Sequence, residues 1–157
     1  MDPTVNEAAA CVRDLLEHVA SGVGVDAEVE VSERDDGVEA EFVGDDLALL
    51  IGHHGQTIDA IQHLAYRIAF RRTRAPVRVV VDAAGYRERR SVALRAAADQ
   101  AAETAIQDQR PVALEAMSAL ERKVVHEHLK ARHDVETYSE GQEPDRRLVV
   151  APVVEYE

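Results

Sequence analysis

The sequence predicts an α+β fold in which a three-stranded sheet with helices, over residues 1–83, is joined by a long helix to a small α/β unit within residues 84–157. Three observations support this prediction. Apolar residues recur at helical spacing in some segments, alternate with polar residues in others, and form an Ala-rich stretch without Gly or Pro over about residues 86–109. A chain of 157 residues has the length of one ordinary domain or two very small ones.

The first unit begins with a helix followed by a hairpin. Helical spacing of apolar residues predicts a helix over about residues 4–20, which a Ser-Gly pair ends. Apolar and polar residues then alternate over 27–32, which predicts a strand with one wet face. The Asp-Gly turn in 34–37 and the apolar pattern of 38–43 predict the returning strand.

A Gly-x-x-Gly loop between two helices follows the hairpin. Asp45 is the predicted cap of a short apolar helix over 47–51, which ends at Gly52. The second helix is amphipathic and is expected over about 56–72. A buried strand at 77–81 completes the first unit.

The second unit contains helices and short extended segments. Its predicted elements are the long helix at 86–109, an extended piece at 112–114, a helix at 118–131, an extended piece at 135–138, a turn at 139–145 and a last strand at 148–150. Residues 155–157 are expected to form a frayed tail.

The overall charge argues against a generic basic nucleic-acid binder, because 30 acidic residues against 18 basic residues leave a net charge of −12. Aromatic residues make up only 4%, too few for a sheet that stacks bases. The charge is uneven, however. Residues 1–50 hold 14 acids and 2 bases, residues 51–95 hold 3 acids and 9 arginines, and residues 96–157 hold 13 acids and 7 bases. The middle block indicates either a site for an anionic ligand or a solvated arginine-rich surface.

Three arginines of the middle block, Arg87, Arg89 and Arg90, fall in the first turns of the long predicted helix. The helix dipole disfavours cations there. We therefore weigh two explanations: a bound phosphate that favours them, or neutralisation by Glu88 and the acidic first block.

Several classes of protein are disfavoured by the sequence. The single cysteine, Cys11, cannot form an intrachain disulfide, and neither a secretory signal nor an apolar run of about 20 residues is present. We therefore expect a cytoplasmic protein without direct membrane insertion. The seven histidines show no metal-ligand spacing, and no phosphate-binding Walker loop or nucleophile elbow occurs. We expect no metal, no cofactor, no catalytic residues and no enzymatic activity.

The loop Gly52-His53-His54-Gly55, followed by Gln56, carries the first functional motif. Two glycines three residues apart let the backbone approach a ligand, and the next helix offers its N-terminal N–H groups to a phosphate. In its context this segment resembles a KH domain of the type II order, over roughly residues 4–82. The resemblance implies a loop that clamps the backbone of about four single-stranded nucleotides beside an apolar groove for bases.

The two middle positions of the loop differ from many KH domains, which carry Lys or Arg there. An unperturbed histidine titrates with a pKa of about 6.5, and its neutral ring donates one hydrogen bond. Either RNA affinity is modest near neutrality, or phosphate binding protonates His53 and His54. A loop with a purely structural role is the other interpretation. We assign Arg71 and Arg72 of the middle block to adjacent phosphates.

The second motif pairs Arg122 with His126, one turn apart on a predicted helix. A Ser-x-Gly turn, a Glu-Pro pair and then Arg146 and Arg147 precede the final strand. Together these features resemble the R-three-H domain, named for an Arg and a His separated by three residues, over about 95–152. The resemblance implies association with single-stranded nucleic acid, and the four named residues are the expected phosphate contacts.

A KH domain followed by an R-three-H domain resembles the bacterial Jag/KhpB family, also called the SpoIIIJ-associated family. This resemblance implies a cytoplasmic RNA-binding protein linked to post-transcriptional regulation and cell elongation. Many members begin with an additional N-terminal Jag domain, whereas this sequence starts almost directly at the KH helix. This difference leaves the expectation of RNA binding intact and weakens the expectation of the membrane-proximal and cell-elongation roles.

The function expected from the sequence is binding of single-stranded RNA, or of single-stranded DNA, as a post-transcriptional regulator or RNA chaperone. The expected protein partner is a second copy of the chain or a small KH-only protein. The alternative is an acidic protein-interaction or scaffold module whose KH loop is degenerate.

Overall fold

The computed structural model describes residues 2–154. These residues divide into two compact units, with the boundary between Arg87 and Glu88. The tail predicted at 155–157 lies outside the described residues. Among the residues described, no helix is both long and apolar enough to cross a bilayer.

The first unit has the element order predicted from the sequence. Its elements are α1 (Pro3–Val23), β1 (Glu28–Arg34), β2 (Gly37–Val43), α2 (Ala48–Ile51), α3 (Gln56–Thr73) and β3 (Arg78–Ala83). The sheet has the order β1-β2-β3, with β1 antiparallel to β2 and β2 parallel to β3. A parallel pair needs a crossover, which α2 and α3 provide here.

One face of this sheet packs against α1 and α3 and forms the core. Strand β2 buries Val38, Ala40 and Phe42, whereas the residues between them stay partly exposed. Leu16 of α1 and Ile58 of α3 are also fully buried against this face. Each large apolar side chain buried in this way contributes about 1.5–3 kcal/mol. The core therefore fixes α3 across the sheet and with it the loop that precedes α3.

The predicted capping role of Asp45 is wrong. Helix α2 begins at Ala48, and Leu47 at the cap position makes no side-chain hydrogen bond to the helix. Instead, the Ala48 N–H donates to Oδ1 of Asp46 at 3.4 Å. The helix starts one residue later than the sequence pattern predicts, so the acidic side chain two residues before its start is Asp46 rather than Asp45.

The second unit contains most of the long helix and a second three-stranded sheet. Its elements are α4 (Tyr86–Asp108), which spans the boundary, β4 (Val112–Ala116), α5 (Ala119–Leu129), β5 (Val135–Glu140) and β6 (Arg147–Pro152). Strand β6 lies between β4 and β5 and is antiparallel to both.

Helix α5 is shorter at both ends than the predicted range of 118–131. Ser118 is its cap and forms a capping box with Glu121, in which each side chain bonds the backbone of the other residue. Val125 and Leu129 point into the core beside Leu148 of β6. The capping box fixes the start of α5, and with it the positions of Arg122 and His126.

Candidate nucleic-acid interface

The Gly-x-x-Gly loop connects α2 to α3 through one turn of 3₁₀ helix, His53–Gly55. Three of its residues have positive φ: Gly52 at 73°, His54 at 51° and Gly55 at 78°. A Cβ added at Gly52 would overlap the side chain of Thr57. Both glycines are therefore required by backbone conformation, and Gly52 also by space.

Gly55 lies directly against an aromatic ring. A Cβ at this position would lie 2.6 Å from Cε1 of Tyr86, closer than real side chains approach. Tyr86 is the first residue of α4 and packs against the core of the first unit. The ring of Tyr86, which follows the last strand of the first unit, thus packs against the loop at Gly55.

The two histidines of the loop stack on each other. Their ring centroids are 3.9 Å apart and their planes differ by 25°. His53 is exposed and His54 is half-buried. Both precede the first turn of α3, an 18-residue helix whose cap residue is Gly55 and whose N-terminus receives no side-chain hydrogen bond. Exposed Gln56 is the first helical residue, so the ring pair lies beside N–H groups that favour an anion.

Arg71 and Arg72 lie at the opposite end of α3 from the loop, contrary to the role assigned to them from the sequence. At 1.5 Å per residue, the distance along the helix axis from Gln56 to Arg72 is about 24 Å. Nε of Arg72 bonds Oε1 of Glu7 at 3.1 Å. These arginines fall near the loop in sequence because α3 follows it, but the helix carries them away. The structure therefore does not bring them together with Gly52–Gly55.

The same two arginines border an open groove between α1 and α3 with a volume of about 570 Å³. Leu15 and Ile68 form part of its apolar lining, and half-buried Cys11 also borders it.

The first turns of α4 contain paired arginines rather than an anion site. Nη1 of Arg87 lies 2.7 Å from Oδ1 of Asp59, and Nε donates to the carbonyl of Val81 at 2.8 Å. Nε of Arg90 lies 2.7 Å from Oε1 of Glu121. Neutralisation therefore accounts for these two cations, although the acids come from α3 and α5 rather than from Glu88 or the first block.

The solvent face of the first sheet is acidic. Glu30, Glu39, Glu41 and Asp82 border a shallow depression of about 240 Å³ on it, and the cation in its lining, Arg34, is paired with Glu39. The carboxylates on this face repel negatively charged phosphates, so binding of a polyanion there is disfavoured. Within residues 2–154, no group of three or more His, Cys, Asp or Glu side chains is placed to hold a metal ion.

Arg122 is buried, although the sequence analysis assigned it to phosphate. Only 8% of the residue is exposed. Nη1 donates to the carbonyl of Met117 at 2.6 Å, and Nη2 lies 2.6 Å from Oε1 of Glu143. A guanidinium whose donors are used in this way holds the turn between β5 and β6 against α5. These contacts give Arg122 a positioning role, and the residue also borders the groove between α5 and β5.

His126 remains accessible, one turn further along α5. Its Nδ1 bonds Oγ1 of Thr137 in β5. The exposed edge of the ring borders a groove of about 440 Å³ between α5 and β5, which also includes Arg146. Nη1 of Arg146 donates to the carbonyl of Gly141 at 2.6 Å. Arg147 is exposed and pairs with Glu140 at 2.7 Å.

Two residues of this groove were missed by the sequence reasoning. Lys123 is exposed beside His126, and Tyr138 is 45% exposed on β5. Lys123 could have been identified from the sequence by its position directly after Arg122 in the motif. Tyr138 could have been identified because aromatic residues are rare in this chain. The groove thus combines an ammonium, an imidazole, a guanidinium and an aromatic ring.

Comparison with known families matches both units. Residues 10–82 match the family described as KhpA/KhpB, KH domain, and residues 92–152 match the R-three-H domain family. The matches confirm the predicted α+β fold with a KH domain followed by an R-three-H domain.

Relatives in three bacteria align with most of the chain, and each is named RNA-binding protein KhpB. The protein of Lactiplantibacillus plantarum is 37% identical over 147 residues, 93% of this chain and 46% of the relative. That of Clostridium symbiosum is 34% identical over 140 residues, 88% of this chain and 63% of the relative. That of Bacillus subtilis is 33% identical over 138 residues, 87% of this chain and 66% of the relative.

The chain spans between about half and two thirds of the length of these curated relatives. The alignments extend over both the KH match and the R-three-H match. Taken with the two domain matches in this order, they show that the chain belongs to the KhpB family.

Proposed function

We propose that this protein binds single-stranded RNA, with the sugar-phosphate backbone at the Gly52–Gly55 loop. The observation that carries the proposal is the loop itself. Its two glycines hold a conformation that brings the stacked rings of His53 and His54 to the start of α3, where no side chain caps the helix. Backbone N–H groups and imidazoles there are suitable donors to phosphate oxygens. The name RNA-binding protein, given to each relative above, supports the same function.

The groove between α5 and β5 is the second proposed RNA contact. Lys123, His126 and Arg146 supply donors for phosphate, and the exposed ring of Tyr138 supplies a surface on which a base can stack. Arg122 acts through the turn that it holds rather than by touching RNA. Arg147 also contacts RNA in this proposal, by exchanging its ion pair with Glu140 for one with a phosphate.

Selection for single strands follows from the small size of the basic surfaces. With a net charge of −12 and an acidic sheet face, the protein offers a rigid duplex few places to bind. A flexible strand can reach the loop and splay its bases, whereas paired bases cannot. Single-stranded DNA satisfies the same contacts except those to the 2′-hydroxyl.

The proposed cellular role is that of a post-transcriptional regulator or RNA chaperone in the cytoplasm. Its proposed protein partner is a second copy of the chain or a small KH-only protein. Neither proposed contact includes a catalytic constellation, so we propose no enzymatic step.

The proposal is tested by fluorescence anisotropy with a labelled 14-nucleotide single strand and the matching RNA duplex, from 50 to 300 mM salt. We expect saturable binding of the single strand and weaker binding of the duplex. The logarithm of the association constant should fall against the logarithm of the salt concentration with a slope of about −0.7 for each phosphate contacted. Absence of saturable binding at 50 mM salt, or a slope of zero, would contradict RNA binding and favour a protein-interaction module.

A further inference from the structure

The outer face of α3 exposes two aromatic side chains, well away from the Gly-x-x-Gly loop. Tyr66 is 36% exposed and Phe70 is 43% exposed. They lie one helical turn apart, with ring centroids separated by 6.3 Å and planes differing by 27°. The chain contains only four Tyr, two Phe and no Trp. A third of its aromatic rings therefore lies in a single exposed pair.

Two arginines of α3, Arg67 and Arg71, lie beside this pair, and a third, Arg74, follows the end of the helix. At 100° per residue, Arg67 falls on the same side of the helix as Phe70, and Arg71 lies next to Arg67. Arg74 follows the helix as its C-cap residue, in the left-handed conformation, and borders the groove between α1 and α3 together with Arg71. All three are exposed, and none of their side chains forms an ion pair or hydrogen bond with another residue between positions 2 and 154. Their neighbour Arg72 is paired with Glu7. In a protein with 30 acidic residues, exposed arginines that form no ion pair within the described residues are available to an anionic ligand from outside.

We propose that this surface, the α3 face formed by Tyr66, Arg67, Phe70 and Arg71, is an additional binding site for single-stranded RNA. Bases stack on the two rings, and the arginines contact the phosphates that flank those bases. An arginine guanidinium also stacks on bases, which makes the combination tolerant of sequence. The inference rests on the proposed RNA-binding function and extends it to a second site on the KH unit.

Single-stranded RNA fits this face better than a protein partner does. An apolar protein surface that covered the rings would also remove the arginines from water without a partner, which is costly. A strand of RNA presents flat bases and phosphates in alternation, so the rings and the arginines are satisfied together. The positive charge of this face is thus complementary to the phosphates of RNA, and its rings can stack with the bases of the same strand.

The length of α3 determines how much RNA is needed to reach both sites. From Gln56 to Phe70 the helix rises about 21 Å. At the stacked spacing of about 3.4 Å per nucleotide, this distance corresponds to about six nucleotides. A KH loop holds about four. A strand of about ten nucleotides or more is therefore required to occupy the loop and the α3 face together, whereas a strand of five nucleotides cannot.

The test measures the affinities of 5-nucleotide and 14-nucleotide RNAs for the wild type and for the variant Tyr66→Ser/Phe70→Ser. We expect the variant to lose at least tenfold in affinity for the long strand and less than twofold for the short one. Val92→Ser, which changes another exposed apolar side chain, on α4, is the matched control and should behave as the wild type. Thermal melting of each variant establishes that it is folded.

A second variant reports on the face directly. Phe70→Trp introduces the only tryptophan of the chain and keeps an aromatic ring. We expect its fluorescence to be quenched by the 14-nucleotide strand and unchanged by the 5-nucleotide strand. Arg67→Gln/Arg71→Gln should reduce the magnitude of the salt slope for the long strand by about 1.4, at 0.7 for each phosphate contact removed.

The other possible results of these experiments reject either the α3 face as an RNA site or RNA binding itself. Wild-type affinity of the double serine variant for the long strand, or an equal loss for both strands, overturns the α3 face as an RNA site. A change in oligomeric state without a change in RNA affinity overturns it in favour of a protein-binding surface. If the wild type binds neither strand, the proposed function itself fails. If the loop variant His53→Asp/His54→Asp loses the short strand while the serine variant keeps both, only the α3 face is rejected.

Discussion

Nη2 of Arg122 lies 2.6 Å from Oε1 of Glu143, a residue 21 positions further along the chain. The arginine of the Arg-x-x-x-His motif thus ties α5 to the turn between β5 and β6, while the histidine of the same motif remains exposed beside the groove. Spacing alone places the two residues on one helix face and cannot distinguish their roles. Burial distinguishes them, since Arg122 is 8% exposed.

Replacement of Arg122 by Ala should destabilise the protein. The change removes a charged hydrogen bond to a half-exposed carboxylate and leaves the carbonyl of Met117 without its donor, at a combined cost of about 2–3 kcal/mol. Arg122→Lys should recover only part of this loss, because one ammonium cannot reproduce the planar fork. Urea denaturation followed by circular dichroism gives the free energy of unfolding.

Arg110→Ala is the matched control for this measurement. Arg110 is exposed and pairs with Asp108 at 3.2 Å, a surface ion pair expected to contribute about 1 kcal/mol at most. Equal free energies of unfolding for the Arg122→Ala and Arg110→Ala variants would show that Arg122 has no positioning role.

The order of elements in both units could be predicted from the sequence because it depends on local patterns. The Asp-Gly turn and the alternation on either side of it predicted the hairpin, and the two glycines predicted a loop between α2 and α3. Positions that depend on tertiary partners could not be predicted. The partner of Arg122 is distant in sequence, and the separation of Arg71 from the loop results from the 18-residue length of α3. The predicted cap of α2 was wrong because the helix begins one residue later, at Ala48, so that Leu47 occupies the cap position and the Ala48 N–H donates to Asp46 rather than to Asp45.

Gly55→Ala should destabilise the protein more than Gly24→Ala. Both glycines have a φ close to 75°, at which alanine costs about 1–2 kcal/mol. A Cβ at Gly24 meets open space, whereas one at Gly55 meets the ring of Tyr86. The difference in the free energy of unfolding between the two variants isolates the packing of Tyr86 beneath the loop. A smaller effect at Gly55 than at Gly24 would contradict that packing.

The ion pairs at Arg132 should stabilise the protein in a pH-dependent way. A hydrogen bond from Arg132 lowers the pKa of Asp134 below its usual value. Because the pKa is lower in the folded state, this stabilisation is complete above the ordinary carboxylate pKa of about 3.9 and is lost as the pH falls through the folded value. The difference in melting temperature between wild type and Asp134→Asn should therefore be present at pH 7 and become smaller as the pH falls below about 3.9. A difference that is constant over this range would exclude the linkage, and Glu136→Gln on β5 serves as control.

Lys123→Ala/Arg146→Ala should weaken RNA binding and its dependence on salt. The two cations border the groove between α5 and β5, and each is expected to contact one phosphate. Removing both should reduce the magnitude of the salt slope by about 1.4. Lys130→Ala, at the exposed end of α5 outside this groove, should keep the wild-type slope. If both variants give the same slope, the groove is not a phosphate contact.

The most direct test of the account is the affinity of the His53→Asp/His54→Asp variant for single-stranded RNA. The two carboxylates would repel phosphate at the start of α3, while both glycines and the packing of Gly55 on Tyr86 are retained. We predict an unchanged fold by circular dichroism and a loss of at least tenfold in affinity for a five-nucleotide RNA by fluorescence anisotropy. A folded variant that binds this RNA with wild-type affinity would contradict the assignment of the Gly52–Gly55 loop as the RNA-binding site.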